Sequence, residues 1–373
     1  IIRSLRNAGF QSIMGFTLAP RFFFKNNQAW LFLMVIVTLF VVNGCSKPDP
    51  SLAPVTQSFY VFGTEVTIEI VDTPEKQANA AISAVEKRFH QFNRAWHAWE
   101  KGGILSKINQ AIAQQTPIEV PESVKGFIVK SQQLAAQSDY LFDPGIGHLI
   151  ELWGFHSENW QGPPPSKAQI DLWLKTRPSI EAIHFNGRQL VSDNPNVQLD
   201  FGGNAKGLAL DIAIDTLKQA GINNAIVNIG GDMRIIGHKS GSHTTDPKNN
   251  QAWRIGIQNP SNPQKPLAWL AIAGDESIVT SGSYQRFFEW QGKRYSHIID
   301  PNTGTPADPF LSVTVIHDDA TTADAAATAL MIAGLTDWQR IAKQMGITQA
   351  VLIDQNHQIH STPAMASRLH FIE

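Results

Sequence analysis

The sequence DFGGNAKG, residues 200–207, places two adjacent glycines directly before a run of helical periodicity. A helix is predicted over residues 205–220, because Gly221 is a typical helix terminator. Glycines ahead of a helix let the backbone approach a ligand closely, and the N–H groups of the first turn attract a phosphate. The stretch is neither a Walker loop nor a dinucleotide fingerprint. Taken alone, such a turn is more often structural than ligand-binding.

Strand and helix patterns alternate irregularly on either side of this stretch. Residues 60–71 predict one interrupted strand, and proline-led helices are predicted over residues 73–94 and 121–138. Asn186-Gly187 between two apolar runs is typical of a β-hairpin. Further strands are predicted at residues 225–229, 253–257, 269–273, 278–281 and 311–317, and a further helix at residues 322–333. Residues 286–295 are predicted to turn at Gln291-Gly292. Because these elements follow no βαβ rhythm, the fold class is predicted to be α+β.

Charge and cysteine content narrow the class of protein. The formal net charge is −2 over 373 residues, which argues against a dedicated nucleic-acid-binding protein. The single cysteine, Cys45, excludes an internal disulfide framework and a CxxC motif for redox or zinc chemistry. The informative property of this cysteine is therefore its position near the N-terminus.

Residues 1–45 have the organisation of a lipoprotein signal segment. Basic residues precede an apolar run at residues 29–42, which is shorter than the ~18–20 residues of a membrane-spanning helix. The run leads into VNGC, which resembles a lipobox and predicts that Cys45 receives a lipid. An uncleaved N-terminal anchor is the alternative, and both interpretations place the rest of the chain on the periplasmic side of a bacterial membrane. Residues 46–55 are predicted to be a tether, and residues 56–373 a folded domain.

Two later segments could contribute to a ligand site. NIGGD, residues 228–232, ends a strand with paired glycines, which indicates either a closely passing ligand or a tight β-turn. His297 precedes an Asp300-Pro301 turn, where it could act as a general base or stabilise a phosphate oxygen. A lone histidine is more often structural, so the residue alone leaves this role open.

The best candidate metal site lies in the alanine-rich segment that follows. Asp324 and Thr328 are four residues apart, so a helix would point both oxygens the same way. Hard oxygen ligands, with no cysteine or paired histidine nearby, favour Mg²⁺ or Ca²⁺ over zinc. An N-capped surface helix is the alternative.

Taken in order, these motifs resemble the ApbE family of FAD:protein FMN transferases, once called thiamine biosynthesis lipoproteins. The resemblance covers residues 56–349 and consists of FGT (62–64), SKIN (106–109), FDP (142–144), LWGF (152–155), DFGGNAKG with Asp211, NIGGD, TSG (280–282), HIIDP (297–301) with Gly304, and residues 324–328. It implies an ApbE-type, T-fold-like α+β domain of mixed sheet and helix with a ligand cleft.

The resemblance also implies roles for individual residues. FAD would lie in the cleft, against a surface drawn from Phe62, Trp99, Leu141, Phe142, Asp143, Asp200, Lys206 and Ile299. Mg²⁺ would bind Asp324 and Thr328, together with the backbone carbonyls of Gly203 and Ala327. His297 would be the catalytic group beside the pyrophosphate. Gly145 stands where the family usually has threonine, which is expected to loosen that edge of the pocket.

The activity implied by the resemblance is transfer of the FMN moiety of FAD to a Thr or Ser hydroxyl of an acceptor protein, with release of AMP. Acceptors would include subunits of Na⁺-translocating NADH:quinone reductases or Rnf complexes. Two alternatives stay open: a Mg²⁺-dependent FAD pyrophosphatase that yields FMN and AMP, and a flavin-binding lipoprotein without catalysis. No nucleic-acid partner is expected.

Overall fold

The computed structural model describes residues 52–157, 160–239 and 252–372. The predicted signal segment with its lipidation residue Cys45, and most of the predicted tether, lie outside the described residues. Within the described part, no helix is both long enough and apolar enough to cross a membrane.

The described chain alternates strands and helices without a regular order. The strands are β1 (Val55–Val61), β2 (Thr64–Ile70), β3 (Ile118–Glu119), β4 (Ile183–Asn186), β5 (Gln189–Ser192), β6 (Ala225–Ile229), β7 (Asp232–Ile236), β8 (Trp253–Asn259), β9 (Asn262–Ile272), β10 (Glu276–Gly282), β11 (Phe287–Trp290), β12 (Lys293–Ser296), β13 (Ile299–Asp300), β14 (Thr305–Pro306), β15 (Phe310–His317), β16 (Gln349–Asp354), β17 (Ile359–Ser361) and β18 (His370–Phe371). The helices are α1 (Glu75–Trp96), α2 (Ile104–Ala113), α3 (Glu122–Gln137), α4 (Gly147–Leu152), α5 (Lys167–Thr176), α6 (Ala205–Gln219), α7 (Ala320–Gln344) and α8 (Pro363–Ala366).

An eight-stranded sheet in the order β1-β2-β6-β7-β10-β15-β16-β17 forms the centre of the fold, and each neighbouring pair is antiparallel. Alternate side chains point to opposite faces of a sheet, so this sheet contributes to two cores. Ile68 and Val227 pack with residues of α1 and α6 on one face. Ile235 and Ile316 pack on the other face against the three-stranded sheet β18-β9-β8. The α+β prediction is confirmed.

Local signals predicted several elements closely and missed one chain reversal. The predicted helices at α1, α3 and α6 match within about two residues at each end, and the Asn186-Gly187 signal falls at the β4–β5 hairpin. The strand predicted over residues 60–71 is interrupted as expected, but the chain folds back at Phe62 into the hairpin β1–β2, which the prediction did not include. The alanine-rich helix predicted over residues 322–333 ends where Gly334 leaves the helical conformation, and a second helical segment continues to Gln344.

Helices α6 and α7 are held side by side at their N-termini. A Cβ on Gly207 would stand 2.3 Å from the carbonyl oxygen of Ala320, so glycine permits this approach. In α6, Asp211 accepts hydrogen bonds from the backbone N–H groups of Ala320 and Thr321 at 3.0 and 2.9 Å. In α7, Asp324 accepts one from the Gly207 N–H at 2.9 Å. Each helix thus binds N–H groups that the other leaves unpaired in its first turn.

Candidate active site

The glycine turn before α6 is fixed by its neighbours. The side-chain amide of Asn109 in α2 donates to the Leu199 carbonyl at 2.9 Å and accepts from the Leu199 N–H at 2.8 Å. The Asp200 N–H donates to the Pro144 carbonyl at 2.8 Å. The Asn109 side chain thus links the SKIN motif to the residue before DFGG, and a backbone hydrogen bond links DFGG to the FDP motif, so both motifs position the turn.

Asp200 and Trp99, both predicted to contact FAD, are in direct contact. The Trp99 indole N–H donates to Asp200 Oδ2 at 3.0 Å, while Oδ1 accepts from the Gly202 N–H at 2.8 Å. The half-buried Trp99 ring lies 5.3 Å from the ring of His156. An aromatic wall therefore stands beside the glycine turn.

Phe142 lies directly against the same turn. A Cβ on Gly203 would stand 3.2 Å from the Phe142 ring and 3.5 Å from Thr328 Oγ1. Phe142 is buried, whereas Leu141 is half-buried against the core. The structure thus brings Gly203 and Thr328, two of the four predicted metal ligands, close together.

Asp143 is buried in the loop that follows. Its Oδ1 accepts hydrogen bonds from the N–H groups of Gly145 and Ile180 at 2.7 and 2.9 Å. Burial raises the pKa of Asp143 to about 6. A Cβ on Gly145 would lie 2.4 Å from the Ile180 nitrogen. The expectation that Gly145 loosens this edge is wrong, because the glycine allows two segments to pack tightly.

Two predicted FAD contacts lie in apolar cores. The Phe62 ring, in the turn between β1 and β2, packs 5.2 Å from Phe89 and 5.9 Å from Phe92. Ile299, in β13, is buried in a separate cluster that includes Trp153 and Phe288. This packing explains how Phe62 and Ile299 are held in position. Their contact with FAD stays a prediction.

A buried charge cluster joins three motifs that are distant in sequence. The Lys206 ammonium pairs with Oδ2 of Asp232, and Asp232 Oδ1 accepts from the Thr280 N–H at 2.9 Å. Burial by itself lowers the pKa of Lys206, but the carboxylates of Asp232 and Asp324 outweigh burial and raise that pKa. The ammonium therefore stays charged at the N-terminus of α6.

Asp324 is the carboxylate in this cluster with the weakest compensation. It is 4% exposed. Within the described residues it accepts a hydrogen bond from the Gly207 N–H and forms no ion pair. Burial raises its pKa to about 7, although the charge of Lys206 opposes this shift. A cation at this place would stabilise the charged form of the buried carboxylate.

The groups around Asp324 suit a hard divalent cation. Thr328 lies one turn along α7 and is half-buried, whereas Ala327 is fully buried. The described residues contain no group of three or more His, Cys, Asp and Glu side chains that could hold a metal. The Asp324 carboxylate and the Thr328 hydroxyl are oxygen donors, and such donors fit Mg²⁺ or Ca²⁺ better than zinc.

His297 follows β12 and has a defined tautomer. Its backbone N–H and its ring Nδ1 both lie 3.1 Å from the carbonyl oxygen of Arg286. A carbonyl only accepts, so Nδ1 carries the proton and Nε2 has the free lone pair. Burial and the positive charge of Arg286 lower the pKa of His297 to about 4. The ring is therefore neutral near pH ~7 and can accept a proton at Nε2.

The sequence reasoning missed Arg286 and the positioning role of Asn109. Arg286 could have been found from the predicted turn at Gln291-Gly292, because that turn places residue 286 opposite His297 in a hairpin. For Asn109, only the family motif pointed to the residue, and no local pattern indicated which backbone it binds.

The chain is thus an α+β protein with an antiparallel central sheet, in which charged groups at two helix N-termini lie near a neutral histidine. The sequence profile of the ApbE family matches residues 62–352, and the chain belongs to this family.

Relatives and solved structures agree with this assignment. The chain is 38% identical over 324 residues to the FAD:protein FMN transferase of Rhodobacter capsulatus. The aligned region covers 86% of this chain and 59% of that protein. This chain therefore spans less than two thirds of that relative. It is 30% identical over 304 residues to the FAD:protein FMN transferase of Vibrio cholerae, covering 81% and 87% of the two chains. The crystal structure of the ApbE protein of Thermotoga maritima superposes with a TM-score of 0.75 at 29% identity, covering 84% and 99%.

Proposed function

We propose that this protein is a transferase that moves the FMN moiety of FAD to a Thr or Ser hydroxyl of an acceptor protein and releases AMP. The observation that carries the proposal is the meeting of Lys206, Asp232 and Asp324 at the N-termini of α6 and α7. Three family motifs that are distant in sequence meet at this position, which is suited to bind a pyrophosphate. Relatives that bear the name FAD:protein FMN transferase support the same activity.

FAD would bind through both its phosphates and its rings. The N-terminus of α6 and the ammonium of Lys206 attract the two negative charges of the pyrophosphate. Trp99, held by Asp200, offers an aromatic face for stacking on a flavin or adenine ring. The remaining contacts would come from Phe62, Leu141, Phe142, Asp143 and Ile299.

Mg²⁺ is the cofactor that we assign to the oxygen donor set. Asp324 and Thr328 would hold it, together with the backbone carbonyls of Gly203 and Ala327. When bound, the ion neutralises pyrophosphate charge and stabilises the departing AMP. The nearness of Gly203 to Thr328 and the buried charge of Asp324 support this assignment.

His297 would manage the proton of the reaction. The acceptor oxygen forms a bond to the FMN-side phosphorus, and the bond between that phosphorus and the bridging oxygen breaks. The hydroxyl proton passes to Nε2 of His297, and the bridging oxygen leaves with AMP and keeps the bonding electron pair. The negative charges of a bound pyrophosphate raise the pKa of a nearby imidazole, which counters the low value in the free protein.

A product analysis tests the proposed function. The full chain is incubated with FAD, Mg²⁺ and a purified flavin-carrying subunit from a Na⁺-translocating quinone reductase or an Rnf complex. We expect a fluorescent acceptor band on a denaturing gel and an equal amount of AMP. Free FMN and AMP with two unmodified acceptors would establish the pyrophosphatase instead. Intact FAD would leave a flavin-binding protein without catalysis.

We also propose that the chain is held at the periplasmic side of a membrane by a lipid on Cys45. The support is the VNGC sequence after a short apolar run, and a tethered enzyme would share a compartment with membrane-bound acceptors. We expect Cys45→Ala to move the protein from the membrane fraction to the soluble fraction. Continued sedimentation with membranes would contradict the lipid anchor and favour an uncleaved N-terminal segment.

A further inference from the structure

Arg286 and His297 form a cross-strand pair. In the hairpin β11–β12, Phe287 lies opposite Ser296 and Phe288 lies opposite Tyr295. The hydrogen bond from the His297 N–H to the Arg286 carbonyl extends this pairing by one residue. Residues directly opposite each other in an antiparallel pair project from the same face, with Cβ atoms ~4.5–5.5 Å apart.

This face of the hairpin packs on a set of aromatic rings. Phe288 and Tyr295 stack with their centroids 5.1 Å apart, and Phe155 lies 5.6 Å from Phe288. The Arg286 guanidinium lies 5.8 Å from the centroid of the Trp160 ring. A guanidinium over an aromatic face keeps its donors available at its edge. Arg286 is therefore held beside His297 with donors free to bind an anion.

The positive charge of Arg286 acts on His297 and Lys206, the two groups assigned to the pyrophosphate. It contributes to the lowered pKa of His297 and opposes the raised pKa of Lys206. Within the part of the chain that the structure describes, no carboxylate forms an ion pair with Arg286. Lys206, by contrast, is paired with Asp232. Arg286 thus supplies positive charge that no described carboxylate neutralises.

We propose that Arg286 binds a phosphate oxygen of the FAD pyrophosphate on the His297 side of the site. This role rests on the proposed function and adds a substrate-binding residue to it. Guanidinium groups bind phosphate through paired, charge-assisted hydrogen bonds. Arg286 would hold the phosphate within reach of Nε2 of His297, opposite the metal ligands on α7.

Arg294 is a matched control on the same hairpin. It projects from the opposite face, where its guanidinium lies 4.0 Å from the Phe287 ring centroid and 3.5 Å from Glu289 Oε1. Like Arg286 it is an exposed arginine in the hairpin, so its removal changes the net charge equally. The two arginines differ in their position relative to His297 and in the partner of Arg294, Glu289.

The experiment measures binding of FAD and of riboflavin, which lacks phosphates, by flavin fluorescence in the presence of Mg²⁺. The full chain is compared with Arg286→Met, Arg286→Lys and Arg294→Met. We expect Arg286→Met to weaken FAD binding about ten-fold or more and to change riboflavin binding less than about two-fold. Arg286→Lys should recover part of the FAD affinity, and Arg294→Met should leave both affinities within about two-fold.

Three results would overturn the assignment: unchanged FAD affinity in Arg286→Met, an equal loss in Arg294→Met, or an equal loss of riboflavin affinity. The first would show that Arg286 does not touch the phosphates, and the others would indicate general charge or a damaged hairpin. A wild-type chain that shows the expected FAD pattern but modifies no acceptor would contradict the proposed function alone. The two failures are therefore distinguishable.

Discussion

The helix side and the hairpin side of the site are built differently. On the helix side, Asp324 is buried and Asp211 half-buried, and each accepts hydrogen bonds from backbone N–H of the neighbouring helix. On the hairpin side, Arg286 and His297 belong to a two-stranded ribbon outside the main sheet. Helix-side residues therefore both stabilise the fold and shape the site. Substitution of hairpin-side residues, by contrast, is expected to alter the chemistry of the site without disrupting the core around the main sheet.

The hairpin side nevertheless needs support. An isolated two-stranded hairpin is marginally stable, and here aromatic packing holds it. The Trp153 ring lies 5.5 Å from that of Tyr295, and the Trp153 indole N–H donates to the Gly304 carbonyl at 2.8 Å. The LWGF motif thus supports the hairpin, and the SKIN motif positions the glycine turn. Several family motifs position other residues of the site.

The largest expected effect is the loss of transfer in Asp324→Ala. We expect the Mg²⁺-dependent transfer rate to fall about a thousand-fold, because a metal supplies several kcal/mol of transition-state stabilisation. The rate of acceptor flavinylation with saturating FAD measures this effect.

Asp324→Asn separates the charge of this residue from its structural contact. Asparagine can still accept the Gly207 N–H, so the melting temperature should stay near that of the wild type while transfer is lost. A wild-type transfer rate in either variant would eliminate the metal assignment.

Asp211→Ala should act on stability. It removes the acceptor of the Ala320 and Thr321 N–H groups and one partner of Arg234. We expect the free energy of unfolding to fall by about 3 kcal/mol, measured by urea denaturation.

Asp171→Ala is the control for this loss. The exposed Asp171 pairs with Lys167 at 2.7 Å, and such pairs contribute at most about 1 kcal/mol. Equal losses in the two variants would refute the contrast between the helix cap and a surface pair.

A smaller, spectroscopic effect is expected on the hairpin side. Burial and Arg286 disfavour the charged imidazolium, so His297 should stay neutral as the pH falls and take up its proton only near pH 4. NMR of histidine-labelled, ligand-free protein, assigned with His297→Asn, should show no titration of this ring between about pH 8 and about pH 5.5. A midpoint at the ordinary value of 6.5 would show that the ring is not held as described.

Local signals were sufficient for much of the fold. The helix at α6 was predictable because its periodicity and its terminator Gly221 lie in one short segment. The turn at Phe62 was not, because this residue has a positive φ of 60°, a conformation uncommon outside glycine. The sequence pattern indicated an interruption at Gly63 but not that the chain reverses direction there.

The sequence suggested candidate residues for the site more readily than the contacts between them. The spacing of Asp324 and Thr328 predicted an oxygen site, with an N-capped surface helix as the alternative. The ion pair between Lys206 and Asp232 depends on how α6 packs on strands β6 and β7, which no local pattern specifies. Arg286 was missed because exposed arginines are common. Only the register of the hairpin shows that this arginine lies opposite His297.

The most direct test of the account compares wild type with His297→Asn at saturating FAD and Mg²⁺. Asparagine can keep the contact with the Arg286 carbonyl but is no proton acceptor in this chemistry. We expect FMN transfer to the acceptor in a single turnover to fall about 10²–10⁴-fold, with FAD affinity and melting temperature close to those of the wild type. An undiminished transfer rate would contradict the claim that this chain moves FMN to a hydroxyl with His297 as the proton acceptor.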